Sequence, residues 1–184
     1  MHSNLKLPSL NGLEDLLQVG GNFLVWRNSS LTELSALEKL KEVGGTFEVS
    51  ELDELKHLGG LSFLQQVHGH VMIHRNPKLD RLEGLNRLKN IGAGLLIGEN
   101  NTLLDVSELS ALRTVGENIV IRSNKSMESI DGLEGLETIN GDVTIIKNQR
   151  LANCEAEAMV SALGEEAVSG TVSVVDNNPN VVCD

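Results

Sequence analysis

The sequence predicts a mainly β protein: a right-handed, parallel, leucine-rich-repeat-like β-helix with 24-residue coils and a C-terminal cap containing one short α-helix. Three observations predict it. A column of branched residues, Val19, Val43, Val67, Ile91, Val115 and Ile139, recurs every 24 positions without an insertion. Two more columns keep that period, from Phe23 to Val143 and from Val25 to Ile145. Between them the chain reads L-x-x-L-x-x-L-x-x-L, as at Leu79, Leu82, Leu85 and Leu88. A fixed period of this length marks a solenoid, in which each coil buries its apolar face against its neighbours.

The elements follow in order along a single domain, 1–184. Leu7, Leu10, Leu13 and Leu16 are spaced by three, so 1–18 reads as the second half of a first coil whose strand half is missing. That end is expected to be covered by a preceding segment or by a partner. Regular coils occupy 19–152. Each begins with a short strand, 22–27 in the first and 46–51 in the next, whose side chains alternate inward and outward. Glycines such as Gly20, Gly44, Gly92 and Gly116 precede the strands and suit tight corners. The leucine half has too short a period for an α-helix and fits extended or 3₁₀-like turns. Leu85 is expected at the centre, between Leu61 and Leu109. Gly12, Ala36, Gly60, Gly84 and Gly132 share a bend position, and Glu108 interrupts it.

An asparagine follows most strands: Asn28, Asn76, Asn100, Asn124, Asn148 and, after the last, Asn177. Stacked amides can satisfy corner backbone groups that no sheet reaches. Leu52 should break this ladder. Asn28, Asn100 and Asn124 also sit in glycosylation patterns, but a ladder amide faces inward. Outward, Arg27, Glu51, Arg75 and Glu99 alternate in sign, so neighbouring coils attract. The cap, 153–184, contains a helix from Asn153, read as its N-cap, to Gly164. Its final strand sets Val168, Val172, Val174 and Asn177 under Ile139, Val143, Ile145 and Asn148 with a spacing of 29 instead of 24.

Composition limits the function. At 40% hydrophobic but 2% aromatic, the core is aliphatic. A net charge of −11 argues against nucleic acid or an anionic membrane as partner. No apolar run approaches the roughly 20 residues of a membrane span, and the N-terminus lacks the features of a secretory leader. Cys154 opens the cap helix and Cys183 follows the last strand. Their placement predicts a disulfide that pins the cap, and with it an oxidising compartment.

The motif L-x-x-L-x-x-I-x-G-x-[VL]-x-I-x-x-N-x-x-L, seen from Leu133 through Ile139, Gly141, Val143, Ile145 and Asn148 to Leu151, resembles the receptor L-domain family. Those leucine-rich β-helical domains carry ligand contacts in growth-factor and insulin receptors. The closing segment, from Cys154 to Val174, is more similar to bacterial surface proteins with the same repeats. The resemblance implies an extracellular or cell-surface domain without catalysis, and carries no ligand residue over to this chain.

The residues agree on the absence of enzymatic chemistry. His68, His70 and His74 cluster, but His70 and His74 lie roughly 13 Å apart along a strand, with no Cys or carboxylate to complete a metal site. Gly92, Gly94 and Gly98 do not form a dinucleotide fingerprint. No cofactor is expected. More informative are Leu24, Trp26, Met72, Leu96, Val120 and Ile146, apolar at positions that the alternation sends outward. They form either a contact face or ordinary β-rich columns covered by other parts of the chain. Two functions follow: a binding module whose strand face holds a protein or glycan, or a structural block that self-associates into surface assemblies or filaments.

Overall fold

The computed structural model describes residues 1–164, 166–178 and 180. It is a β-solenoid of 24-residue coils. Each regular coil contributes one strand to each of two parallel sheets. The first sheet has six two-residue strands: β1 (Gln18–Val19), β3 (Glu42–Val43), β5 (Gln66–Val67), β7 (Asn90–Ile91), β9 (Thr114–Val115) and β11 (Thr138–Ile139). The second has seven four-residue strands: β2 (Phe23–Trp26), β4 (Phe47–Ser50), β6 (Val71–His74), β8 (Leu95–Gly98), β10 (Ile119–Arg122), β12 (Val143–Ile146) and β13 (Val172–Val175). Register is unbroken: Phe23 pairs with Phe47, Phe47 with Val71, Val71 with Leu95. β13 joins with the expected shift, Val143 opposite Val172 and Ile145 opposite Val174.

The leucine columns fill the space between the sheets. Leu61, Leu85 and Leu109 are fully buried in consecutive coils. Four of the leucine segments form single 3₁₀ turns, at Ser35–Leu37, Gly59–Leu61, Ser107–Leu109 and Asp131–Leu133. The other two, at Gly12 and Gly84, bend instead through positive φ, +102° and +109°. This difference explains why the glycine column is interrupted. A Cβ on Gly60 would lie 1.7 Å from the Leu34 carbonyl oxygen, and one on Gly132 1.9 Å from that of Val106. Both glycines stack on a coil with a 3₁₀ turn. Ala36 and Glu108 each stack on a coil that bends through a positive-φ glycine, and those are the two places where a side chain occurs.

The asparagine ladder runs through the core. Asn28, Asn76, Asn100, Asn124 and Asn148 are completely buried, so the glycosylation patterns at three of them lie inside the fold. The Asn100 Oδ1 accepts from the Asn76 N–H at 3.0 Å, and its Nδ2 donates to the Ile73 carbonyl at 2.9 Å. Asn124 and Asn148 repeat the pattern. At the far end the Asn177 Nδ2 bonds the Ile145 carbonyl and the Asn153 Oδ1. Leu52 interrupts the ladder: its own N–H still donates to the Asn76 Oδ1 at 3.1 Å, but it offers no amide oxygen to Asn28 beneath it.

Three local expectations are corrected. The long strands stop one residue earlier than expected, at Trp26 and its equivalents. Arg27, Glu51, Arg75, Glu99, Ser123, Lys147 and Asp176 then adopt φ between 53° and 58°. That left-handed corner turns the next side chain, the ladder asparagine, into the core. Residues Met1–Asn4 also supply a stub of the strand half that 1–18 was read as lacking. His2 bridges Trp26, Ser3 takes the left-handed corner, and the Asn4 N–H donates to the Asn28 Oδ1. Lastly, α1 (Asn153–Ala162) has Ala152, not Asn153, at its N-cap. Ala152 is extended there, while the Asn153 amide is engaged by Asn177. The helix buries Ala156, Met159 and Val160. The expected Cys154–Cys183 pairing involves Cys183, which lies outside the described residues.

Gly60→Ala is expected to cost about 3 kcal/mol or more, because the obstacle is backbone that cannot swing aside. Gly98→Ala, where a Cβ would find only ordinary contacts at 3.4 Å or beyond, should change stability by about 0.5 kcal/mol at most. Asn100→Ala should cost about 3 kcal/mol by leaving two buried backbone groups of the preceding coil, the Asn76 N–H and the Ile73 carbonyl, without their side-chain partner. Urea denaturation of the three variants checks both the bend rule and the ladder.

Candidate functional site: the outward face of the long-stranded sheet

The seven-stranded sheet turns Phe23, Val25 and their equivalents inward. The residues between them face away from the core and are half-buried by their neighbours along the stack. All six apolar residues expected on this face, Leu24, Trp26, Met72, Leu96, Val120 and Ile146, are placed in this way. Register decides which of them meet. One column runs Leu24, Glu48, Met72, Leu96, Val120, Thr144; the other runs Trp26, Ser50, His74, Gly98, Arg122, Ile146. In the first column, Met72, Leu96 and Val120 are consecutive, about 4.8 Å apart. Leu24 is divided from them by Glu48. Trp26 lies at one end of the second column, its ring stacked on His2 at 4.6 Å and flanked by the Arg27 guanidinium at 5.1 Å. Ile146 lies near the other end, beside Arg122 and the exposed Val175.

Met72, Leu96 and Val120 floor a shallow depression of about 330 Å3 with His70, Gly94, Glu117 and Asn118 along its rim. Gly94 keeps that rim low. A Cβ there would press within 3.0 Å of the Asn118 carbonyl oxygen, and the Gly94 N–H donates to His70 Nδ1 at 3.0 Å. The His70 Nε2 lies 4.0 Å from a Glu117 oxygen across the opening. Sequence reasoning missed this rim. The signal was a column of Gly21, Gly45, Gly69, Ala93 and Gly141 in which Glu117 is the one charged residue.

Beside the depression, Ser50, His74 and Glu48 have the residue types of a nucleophilic triad but not its geometry. Ser50 is 1% exposed and donates its hydroxyl proton to Glu48 Oε1 at 2.6 Å, and His74 Nε2 approaches the same oxygen at 3.5 Å. The carboxylate thus takes the position that a base would need next to the serine. The group serves to fix Glu48 on the face. Among the described residues, no three His, Cys, Asp or Glu are placed to hold a metal ion.

The left-handed corners border this face with an ion-pair ladder. Arg27 Nε meets Glu51 Oε2 at 2.6 Å, Arg75 Nε meets Glu99 Oε2 at 2.9 Å, and Arg122 closes on Glu99 at 2.9 Å. The Arg27 hydrogen bond holds the Glu51 carboxyl below the usual glutamate range, with help from the Arg75 charge. Arg75 does the same to Glu99, with Arg122 adding to it. At the last coil, the Thr171 N–H and hydroxyl lower Asp142. A carboxyl with a lowered folded pKa contributes stability that is complete above its unfolded value and is lost as pH falls through the folded one. Stability should therefore decline from about pH 4.5 downward. Glu51→Gln with Glu99→Gln should flatten that decline while leaving neutral-pH stability little changed, since exposed pairs contribute little. Thermal melts from pH 7 to pH 3 read both effects.

Comparison of the chain with protein-family models, with curated proteins and with solved structures returned no match. What this face can hold rests on its own geometry.

Proposed function

We propose that this protein is a non-catalytic binding module, extracellular or at a cell surface, that holds a protein or glycan partner on the outward face of its long-stranded sheet. The observation that carries the reading is the uninterrupted Met72–Leu96–Val120 run, set in a depression whose rim supplies a histidine, a carboxylate and an amide. Such a site combines apolar area for affinity with a few polar groups for orientation. The surrounding protein is acidic and polar, so a contiguous aliphatic surface stands out from it. Membership of the receptor L-domain family is part of the proposal, supported by the repeat motif and by the coil length. So is the Cys154–Cys183 disulfide, supported by the absence of any free cysteine among the described residues. No helix among those residues is long and apolar enough to cross a membrane.

Leu96→Ser and Met72→Ser are expected to keep the melting transition within a few degrees of the parent, since neither side chain belongs to the core. Both should lose a partner that the parent retains in pull-downs from the extracellular fraction, while light scattering over a concentration series gives a monomer for all three. Unfolding of both variants would invert the face assignment. Concentration-dependent growth of the parent into fibres or end-to-end oligomers would favour the self-associating structural block.

A further inference from the structure

The depression on the long-stranded sheet joins an aliphatic floor to one carboxylate. Met72, Leu96 and Val120 supply the floor, and Glu117 is the only acidic residue on the rim, which carries no lysine or arginine. His70 Nδ1 accepts from the Gly94 N–H at 3.0 Å, so the ring keeps its proton on Nε2. That atom lies 4.0 Å from a Glu117 oxygen, too far for a hydrogen bond. Among the described residues no other donor or cation comes closer to this carboxylate. The charged side chains next to the floor are committed elsewhere. Glu48, beside Met72 in its column, is held by Ser50 at 2.6 Å and approached by His74 at 3.5 Å. Arg122, two residues beyond Val120, closes on Glu99 at 2.9 Å. An exposed glutamate is ordinary by itself. This one borders an apolar floor, in a column where the other coils carry glycine or alanine.

Resting on the reading of this face as the contact surface, we infer that the depression takes a lysine side chain presented by a protein partner. A purely aliphatic occupant would cover the floor but strip water from Glu117 without replacing its hydrogen bonds, which is unfavourable. A lysine satisfies both parts of the site. Its methylene stem lies on apolar surface while its ammonium reaches a polar edge, here the Glu117 carboxylate. Arginine has one methylene fewer, and its planar head stacks best on aromatic faces. No Phe, Tyr or Trp lines the depression.

The volume of about 330 Å3 is at the small end for ligand pockets, and a free small molecule normally has most of its surface buried. A shallow, open depression does not enclose one. A side chain standing on a partner's surface is covered from behind by that surface. The net charge of −11 also favours the approach of a basic partner.

NMR of the full chain labelled at its methionine methyl groups tests the assignment, because the Met72 methyl reports occupancy of the floor. The probes are the Nα-acetyl methylamides of lysine, of norleucine (the same stem without the ammonium), of Nε-acetyl-lysine and of arginine. Lysine is expected to shift the Met72 methyl at a concentration about threefold or more below norleucine, with Nε-acetyl-lysine no better than norleucine. Glu117→Gln should remove the advantage of lysine over norleucine. Glu157→Gln, which deletes the same charge from an exposed position of α1, should retain it. Equal responses to lysine and norleucine in the parent overturn the lysine assignment and leave the apolar contact face standing, as does a lysine advantage that survives Glu117→Gln. No response to any probe overturns both. A stronger response to the arginine probe, to free 1,5-diaminopentane or to a neutral oligosaccharide such as cellohexaose overturns the choice of a lysine side chain as occupant.

Discussion

The structure depends on buried asparagines that bond from coil to coil. A strand that turns a corner leaves backbone groups that neither sheet can pair, and burying them unpaired costs about 1–3 kcal/mol each. Here each ladder asparagine accepts from the backbone N–H of the coil before it and donates to a carbonyl deeper in that coil. The bonds have correct length only if successive coils superpose, so the ladder enforces the 24-residue register as well as satisfying the corner. The left-handed residues are its consequence. A non-glycine residue at positive φ costs about 1–2 kcal/mol, and eight corners from Ser3 to Asp176 accept this; at seven of them the next residue is an asparagine whose amide would otherwise point away from its partners.

A stack held so strictly turns sequence columns into surface columns, with side chains about 4.8 Å apart. Most of those columns are chemically dull, because attraction or repulsion between neighbours selects for compatible residues along each one. Arg27, Glu51, Arg75 and Glu99 show the outcome: alternating signs, short ion pairs, and no net field at a distance. Informative positions are those that break their column. Glu48 divides the apolar face, Glu117 supplies the one carboxylate in a column of small residues, and Phe63 places an aromatic ring among cations. None of the three is required by the fold, whereas Gly60 and Gly132 are fixed by backbone they nearly touch.

The same distinction governs what was legible in the sequence. Inward columns were readable because burial leaves a period: the alternation at Phe23 and Val25, the three-residue leucine spacing, and the shift of 29 to the last strand all reappear in the pairing. The ladder was readable because a polar residue can recur at an inward position only where every coil supplies it with hydrogen-bond partners. Corners were less so. Arg27 and its equivalents look like strand continuation, since their charges alternate and left-handed backbone leaves no mark on residues other than glycine or asparagine. Met1–Asn4 escaped notice because His2 and Ser3 carry no apolar signal, although Asn4 stands 24 positions before Asn28. The face itself was half legible. Alternation placed six apolar residues outward, but their contiguity depends on which polar residues lie between them in adjacent coils, and Glu48 and Ser50 had to be set in register before the patch resolved into three.

Two faces with different chemistry on one solenoid follow from the geometry of its two sheets. The long strands have four residues and expose alternate positions, so they present a surface broad enough for an aliphatic floor and a polar rim. Strands of the other sheet have only two residues, too short to build a floor. Their exposed neighbours are isolated side chains at the ends of the leucine segments, such as Lys41, Gln65 and Lys89 in consecutive coils. A broad face suits a partner that buries area. Because the ladder keeps the stack in register, neither surface can be reshaped by sliding one coil on the next. A partner held on the long-stranded face would meet it in the conformation it already has, which lowers the entropic cost of binding and makes the spacing of the coils the measure of what fits.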